Sequence, residues 1–166
     1  MRVYIPFTLP GLAAADAADR FAAPGTAAHA VTPAVREWYV EGDVEELEYV
    51  VATDAAQASL RLLAADPGAP RRRVVVAADV PDAAVTAGRT VRSSVVLQAV
   101  VPRSDVASVH LDEAGAEPVV AAAVEALEAA DAGDDDAGFL LDEAEAADLL
   151  WYDVTEIGRL VDDGGA

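Results

Sequence analysis

His110 is followed two and three residues later by Asp112 and Glu113. On a strand, residues two apart project to one face, so the His110 imidazole and the Asp112 carboxylate would stand side by side. Such a pair can relay a proton or offer two ligands to a metal. Nothing nearby supplies the remaining ligands, and the only other histidine is His29. The plainer reading is a surface histidine bonded to a neighbouring acid. Neither metal nor cofactor is expected.

Arg36, Glu37, Trp38 and Tyr39 form a second cluster, and Trp, Tyr and Arg are the residue types that dominate binding hot spots. Aromatics are scarce here, at 5%, so the same residues are wanted for packing. Either Trp38 or Val35 is expected to point inward, with Arg36 and Glu37 pairing with the helix that follows. Trp151 and Tyr152 could wall a pocket beside His110. The run Arg71-Arg72-Arg73 alternates sides if extended, so it forms no single basic patch. Its expected role is to end a buried strand at the surface and pair with acids. Asp134 to Asp136 lack the spacing of a calcium loop. No GxGxxG, P-loop, GxSxG or HExxH motif occurs.

The elements that must position these residues are set by composition first. The 166 residues suit one domain, taken as 1–166 with a flexible acidic turn at 131–138 and a frayed tail at 162–166. Thirty acids face eleven basic residues, all arginine, for a formal charge of −19. That charge repels phosphate, so neither nucleic acid nor an anionic membrane is expected as a partner. There is no cysteine, which excludes disulfides and thiolate chemistry. No apolar run approaches the roughly 20 residues of a membrane span, and the first residues read directly into a strand, so a cytoplasmic location is expected. The absence of Lys and Asn beside abundant Ala, Val, Asp and Arg suits a GC-rich genome, with halophilic adaptation the competing reading.

Along the chain, residues 2–7 read as a strand, with Thr8 capping a helix that ends before Pro24-Gly25. Residues 22–31 read as a loop. Thr32-Pro33 opens a short helix through Tyr39. Asp43 with Glu46 is a capping-box signature for a long helix, in which Leu47, Val51, Ala55, Ala58 and Leu62 recur at helical spacing up to Asp66. Residues 71–79 read as a central strand covered on both faces, and 80–90 as a loop. Strands follow at 91–101 and 107–111, with a short helical turn at 103–106 as one way to join them. A helix opens at Glu117-Pro118, and a last strand covers 149–152 before a turn capped by Thr155. This order gives an α+β fold, ferredoxin-like βαββαβ with extra helices between the first and second strands.

Six stretches carry a resemblance: Met1 to Pro6, Thr32 to Tyr39, Glu45 to Tyr49, Arg72 to Val76, Val109 to Glu113 and Leu150 to Tyr152. Together the chain resembles an uncharacterised actinobacterial family of unknown function. That resemblance favours a GC-rich source and implies no activity. The expected function is a non-catalytic module binding another protein or a small ligand, with Arg36, Glu37, Trp38, Tyr39, Trp151 and Tyr152 as contact residues and a homodimer or unidentified protein as partner. The alternative is a small enzyme with a site around His110, Asp112, Trp151 and Tyr152.

Overall fold

In the computed structural model, residues 1–39 and 42–164 are described. The first strand, β1 (Arg2–Phe7), alternates its side chains so that Val3 and Ile5 face one layer of helices and Tyr4 faces the other. Thr8 then caps α1 (Leu9–Ala17), accepting from the Gly11 amide at 3.1 Å, with a proline in the first turn. Phe21 lies beyond this helix and is buried, its amide bonded to the Val101 carbonyl.

The remaining strands are β2 (Ala27–Ala30), β3 (Val74–Asp79), β4 (Val85–Ala87), β5 (Ser94–Leu97), β6 (Val106–Leu111) and β7 (Leu150–Tyr152). They form one seven-stranded sheet in the order β4-β5-β2-β1-β3-β6-β7, every pair antiparallel. The α+β class is as expected, but the strand order corrects the ferredoxin-like βαββαβ expectation. There, strands joined by a helix run parallel with a third between them. Here β1 and β3 pair directly and antiparallel, from Arg2 opposite Asp79 to Phe7 opposite Val74. The cause is β2, in the segment read as a loop. It carries the chain back down the sheet, so the long helix returns it to the end where β1 finished.

That helix is α3 (Val44–Ala65), and Asp43 and Glu46 form the expected reciprocal capping box. Its buried stripe runs Leu47, Val51, Ala55, Ser59, Leu60 and Leu63, whereas Leu62 is exposed. Val51 and Ala55 cover Tyr4, Val75 and Ala77, while Leu60 and Leu63 pack against Val120, Ala123 and Leu127 of α4 (Glu117–Asp131). On the other face, Val74, Val76, Val109 and Leu111 meet α1 and α6 (Ile157–Gly164). β3 is therefore covered on both sides, as its unbroken apolar run requires.

Three further expectations are corrected. The acidic turn at 131–138 is shorter, because Asp134 accepts from the Ala137 amide and starts α5 (Asp135–Glu145). Acidic residues at a helix start suit its positive end. The tail is helical through Gly164, and residues 165 and 166 lie outside those described. Asp153, not Thr155, supplies the last cap, with Glu156 completing a capping box. The 3-10 turn at Arg103–Asp105 leading into β6 is as read from the sequence.

Candidate functional site

Between α3, the middle of the sheet and the segment joining α5 to β7 lies a cleft of about 440 Å³. Its floor comes from the sheet face that α3 only partly covers. Tyr4 on β1, Val75 on β3 and His110 on β6 project there, because His110 pairs with Val75, and Tyr4 pairs with Ala77 beside it. Ala52 and Ala56 on α3 are too small to fill the space between helix and sheet. Tyr4 is 5% exposed, yet its hydroxyl makes no hydrogen bond of good geometry to a described residue. No buried side-chain nitrogen or oxygen lacks a partner among the described residues, so this hydroxyl is one that reaches the open space of the cleft. Burial first, and the nearby Glu48 carboxylate second, push it up to about 12.

His110 is half-buried, and its Nε2 lies 3.0 Å from the Ser108 hydroxyl. Burial, and then the Arg2 guanidinium, hold its pKa below the usual histidine value. At neutral pH it therefore enters the cleft uncharged. Arg2 itself donates to both oxygens of Asp79, at 2.9 and 2.8 Å.

Asp112 does not join His110. It is fully buried beyond the end of β6, and its carboxylate accepts from the Arg73 amide at 2.7 Å, from Nε at 2.8 Å and from Nη2 at 2.7 Å. Arg73, also buried, donates again to the Ala147 carbonyl at 2.7 Å. It thus ties β3 to the segment that walls the cleft. The other two arginines of the run serve the backbone, Arg71 at the carbonyls of Leu63 and Asp66 where α3 ends, and Arg72 at the Asp112 carbonyl. Arg72 and Arg73 thus both reach Asp112 while Arg71 turns to the end of α3, which corrects the expected surface role of the run: Arg73 is buried, and Arg71 and Arg72 bond carbonyls rather than acids.

The proposed aromatics separate as well. Trp151 sits directly opposite His110 on β7, on the same face of the sheet, and is 60% exposed. Tyr152 pairs with Val109 and packs into the opposite layer, so it cannot reach the cleft. His110 and Trp151 therefore share a face, while Asp112 and Tyr152 do not join them.

The 36–39 cluster lies on α2 (Pro33–Trp38), capped by Thr32. Val35 takes the buried position, leaving Trp38 60% exposed and Arg36, Glu37 and Tyr39 on the surface. Arg36 and Glu37 make no ion pair with α3 among the described residues. One face of Trp38 is occupied: the Arg92 guanidinium lies 3.7 Å from its ring centre, and the Arg92 carbonyl accepts from Thr32 at 2.6 Å. Trp38 and Tyr39 line an open groove of about 920 Å³ that shares Glu45 and Tyr49 with the cleft. Residues 40 and 41, which follow Tyr39 in the chain, lie outside those described.

The second histidine is structural. His29 Nδ1 lies 2.9 Å from Ser93 Oγ, and Ser93 donates to Asp54 on α3 at 2.5 Å. The single hydroxyl proton goes to the carboxylate, so the imidazole N–H donates to Ser93. Ser93 is fully buried and can meet no substrate. Among the described residues no three His, Asp or Glu side chains are placed to hold a metal ion, and no helix is long and apolar enough to cross a membrane.

Tyr4, Glu48, Tyr49 and Arg73 were not singled out as site residues. A signal was present: Glu45, Tyr49, Ala52 and Ala56 form a second stripe along α3, beside the buried one.

A family model spanning residues 1–161 matches the chain, and the chain belongs to that family, described as a family of unknown function (DUF6912). No curated protein and no solved structure matches it.

Proposed function

We propose that this member of DUF6912 is a non-catalytic binding module whose ligand, a small molecule, occupies the cleft between α3 and the sheet. The observation that carries this reading is Tyr4, a residue only 5% exposed whose hydroxyl opens into the cleft beside the Glu48 carboxylate and makes no hydrogen bond of good geometry to a described residue. A buried polar group is stabilised by a partner, and an arriving ligand can supply one. The volume lies in the range of small-molecule sites, and an apolar floor with a few convergent polar groups is their usual make-up.

The enzyme reading loses its acid–base pair, because all hydrogen bonding of the Asp112 carboxylate is directed to Arg73. His110 retains only Ser108 as a side-chain partner among the described residues. The groove at Trp38 and Tyr39 supports the protein-partner form of the expectation less well, since the residues that line it among those described lie at the surface or on one side of α3, without a mostly buried polar side chain like Tyr4.

A thermal-shift screen of a chemically mixed small-molecule set tests the reading, run on the wild type and on Ala52→Phe, which fills the cleft from its partly buried wall. Compounds that raise the wild-type melting temperature should fail on the variant, whose circular dichroism stays native. Hits that persist when the cleft is filled would place binding elsewhere, and the reading would be abandoned.

A further inference from the structure

We propose that the ligand is a small organic cation, a primary amine or guanidine on a short aliphatic stem. This rests on the reading of the cleft as a ligand site and adds its chemistry.

The charges around the cleft decide the sign. Glu45, Glu48, Glu145 and Asp148 all line it. Glu145 accepts from Gln57 at 2.9 Å, and none of the four has an ion-pair partner among the described residues. The two nearby cations are already neutralised, Arg73 by buried Asp112 and Arg2 by Asp79. An anion would meet four carboxylates and, among the described residues that line the cleft, no arginine without an acidic partner.

The shape of the charge disfavours a bare metal ion as the main occupant, because the carboxylates are spread along the walls and no three ligating groups converge among the described residues. An amine on a stem fits that spread better. Its alkyl part can lie on Ala52, Ala56 and Val75, while its N–H groups reach acceptors at the rim. The Tyr4 oxygen, protonated and neutral well above physiological pH, opens into the cleft beside Glu48 and is the acceptor that completes the set. The exposed ring of Tyr49 offers a face to a cation at the mouth.

Isothermal titration at low salt with agmatine and 1,4-diaminobutane, against 1,4-butanediol and glutarate as neutral and anionic probes, tests this. The two cations should bind and the others should not. Glu48→Gln should weaken cation binding about tenfold, the effect of losing a charged hydrogen bond in a half-buried site. Tyr4→Phe should weaken it severalfold while leaving the fold intact. Asp162→Asn with Asp163→Asn, on α6 across the sheet, should leave affinity unchanged. An equal loss there would mean that the cations only condense on an acidic protein, and would overturn the proposal. Binding of the neutral or anionic probe that Ala52→Phe abolishes, without cation binding, would also overturn it and leave the small-molecule reading standing. No binding of any probe, with an empty thermal-shift screen, would sink both. A capped Gly-Lys-Gly peptide binding more tightly than the free amines would overturn the small-molecule form in favour of a protein side chain.

Discussion

Arg73 and Asp112 are a buried ion pair in which the carboxylate accepts three hydrogen bonds and the guanidinium donates through Nε and Nη2, and such pairs are held together by the cost of separating them. Taking two charges out of water is offset by their attraction only when the geometry is this complete. Removing one partner leaves the other charged and dry. Asp112→Ala should therefore cost about 3–5 kcal/mol in urea unfolding, while the double change Arg73→Met with Asp112→Leu should recover most of it. A loss under about 1 kcal/mol for Asp112→Ala would mean that water reaches the arginine and the pair is not isolated. Because Arg73 also holds the Ala147 carbonyl, the same change should loosen the cleft wall. This pairing is where sequence reasoning stopped short. His110 and Asp112 look like partners two residues apart, but β6 ends at Leu111, and beyond a strand end the alternation rule no longer fixes direction. The competing partner lies 39 residues away, visible only once β3 and β6 are known to pair.

At the scale of elements, α3 does more than cover the sheet. Ser59 is fully buried in its apolar stripe, donates to the Phe7 carbonyl at 2.7 Å and accepts from the Val74 amide at 3.1 Å. Phe7 and Val74 are the last paired positions of β1 and β3, so a helix side chain closes the end of a strand ladder. Ser59→Ala would leave both backbone groups short of a bond in a dry place. It should destabilise the protein by about 1–3 kcal/mol, measured by denaturant unfolding. Less than half a kilocalorie would show that the strands simply close up on each other. Helices α2, α3 and α4 were legible because each carries its own start signal: Thr32-Pro33, Asp43 with Glu46, and Glu117-Pro118. β2 and α5 were not. Ala27–Ala30 is mostly alanine, a poor strand former that becomes a strand only because β1 and β5 flank it. The triple aspartate hid the start of α5, since the same acids suit a solvated turn and a helix first turn. The cleft inherits both gaps, because α5 leads into one of its walls and β2 sets the strand order of its floor.

For the whole molecule, the question is what a formal charge of −19 does to stability. Not every carboxylate is a cost. Asp43, Asp134 and Asp153 are helix caps, and Asp135 and Asp136 sit at a helix start where negative charge is favourable. Ion pairs involve Asp16, Asp79, Asp82, Asp112, Asp131 and Glu156. The unpaired remainder is concentrated, as in Asp142, Glu143, Glu145 and Asp148, which share one exposed stretch at the end of α5. Like charges at this density repel in the compact state more than in the unfolded chain. Salt screens the repulsion, with a Debye length near ~10 Å at 0.1 M and ~3 Å at 1 M. It also weakens the exposed Arg2, Arg61 and Arg159 pairs, but such pairs contribute at most about 1 kcal/mol each. The Arg73–Asp112 pair is insulated from ions by its burial. Repulsion therefore dominates the balance, and the melting temperature should rise from low salt to about 0.5 M sodium chloride and then level off as screening saturates. Calorimetry across that range checks the sign. Replacing Asp142 and Glu143 by their amides should flatten the rise, because those two belong to an unpaired acidic stretch. A protein that unfolds below molar salt would revive the halophilic reading of its composition. A flat or falling curve would mean that the arginines already neutralise the acids locally, and the account of charge given by composition would be wrong.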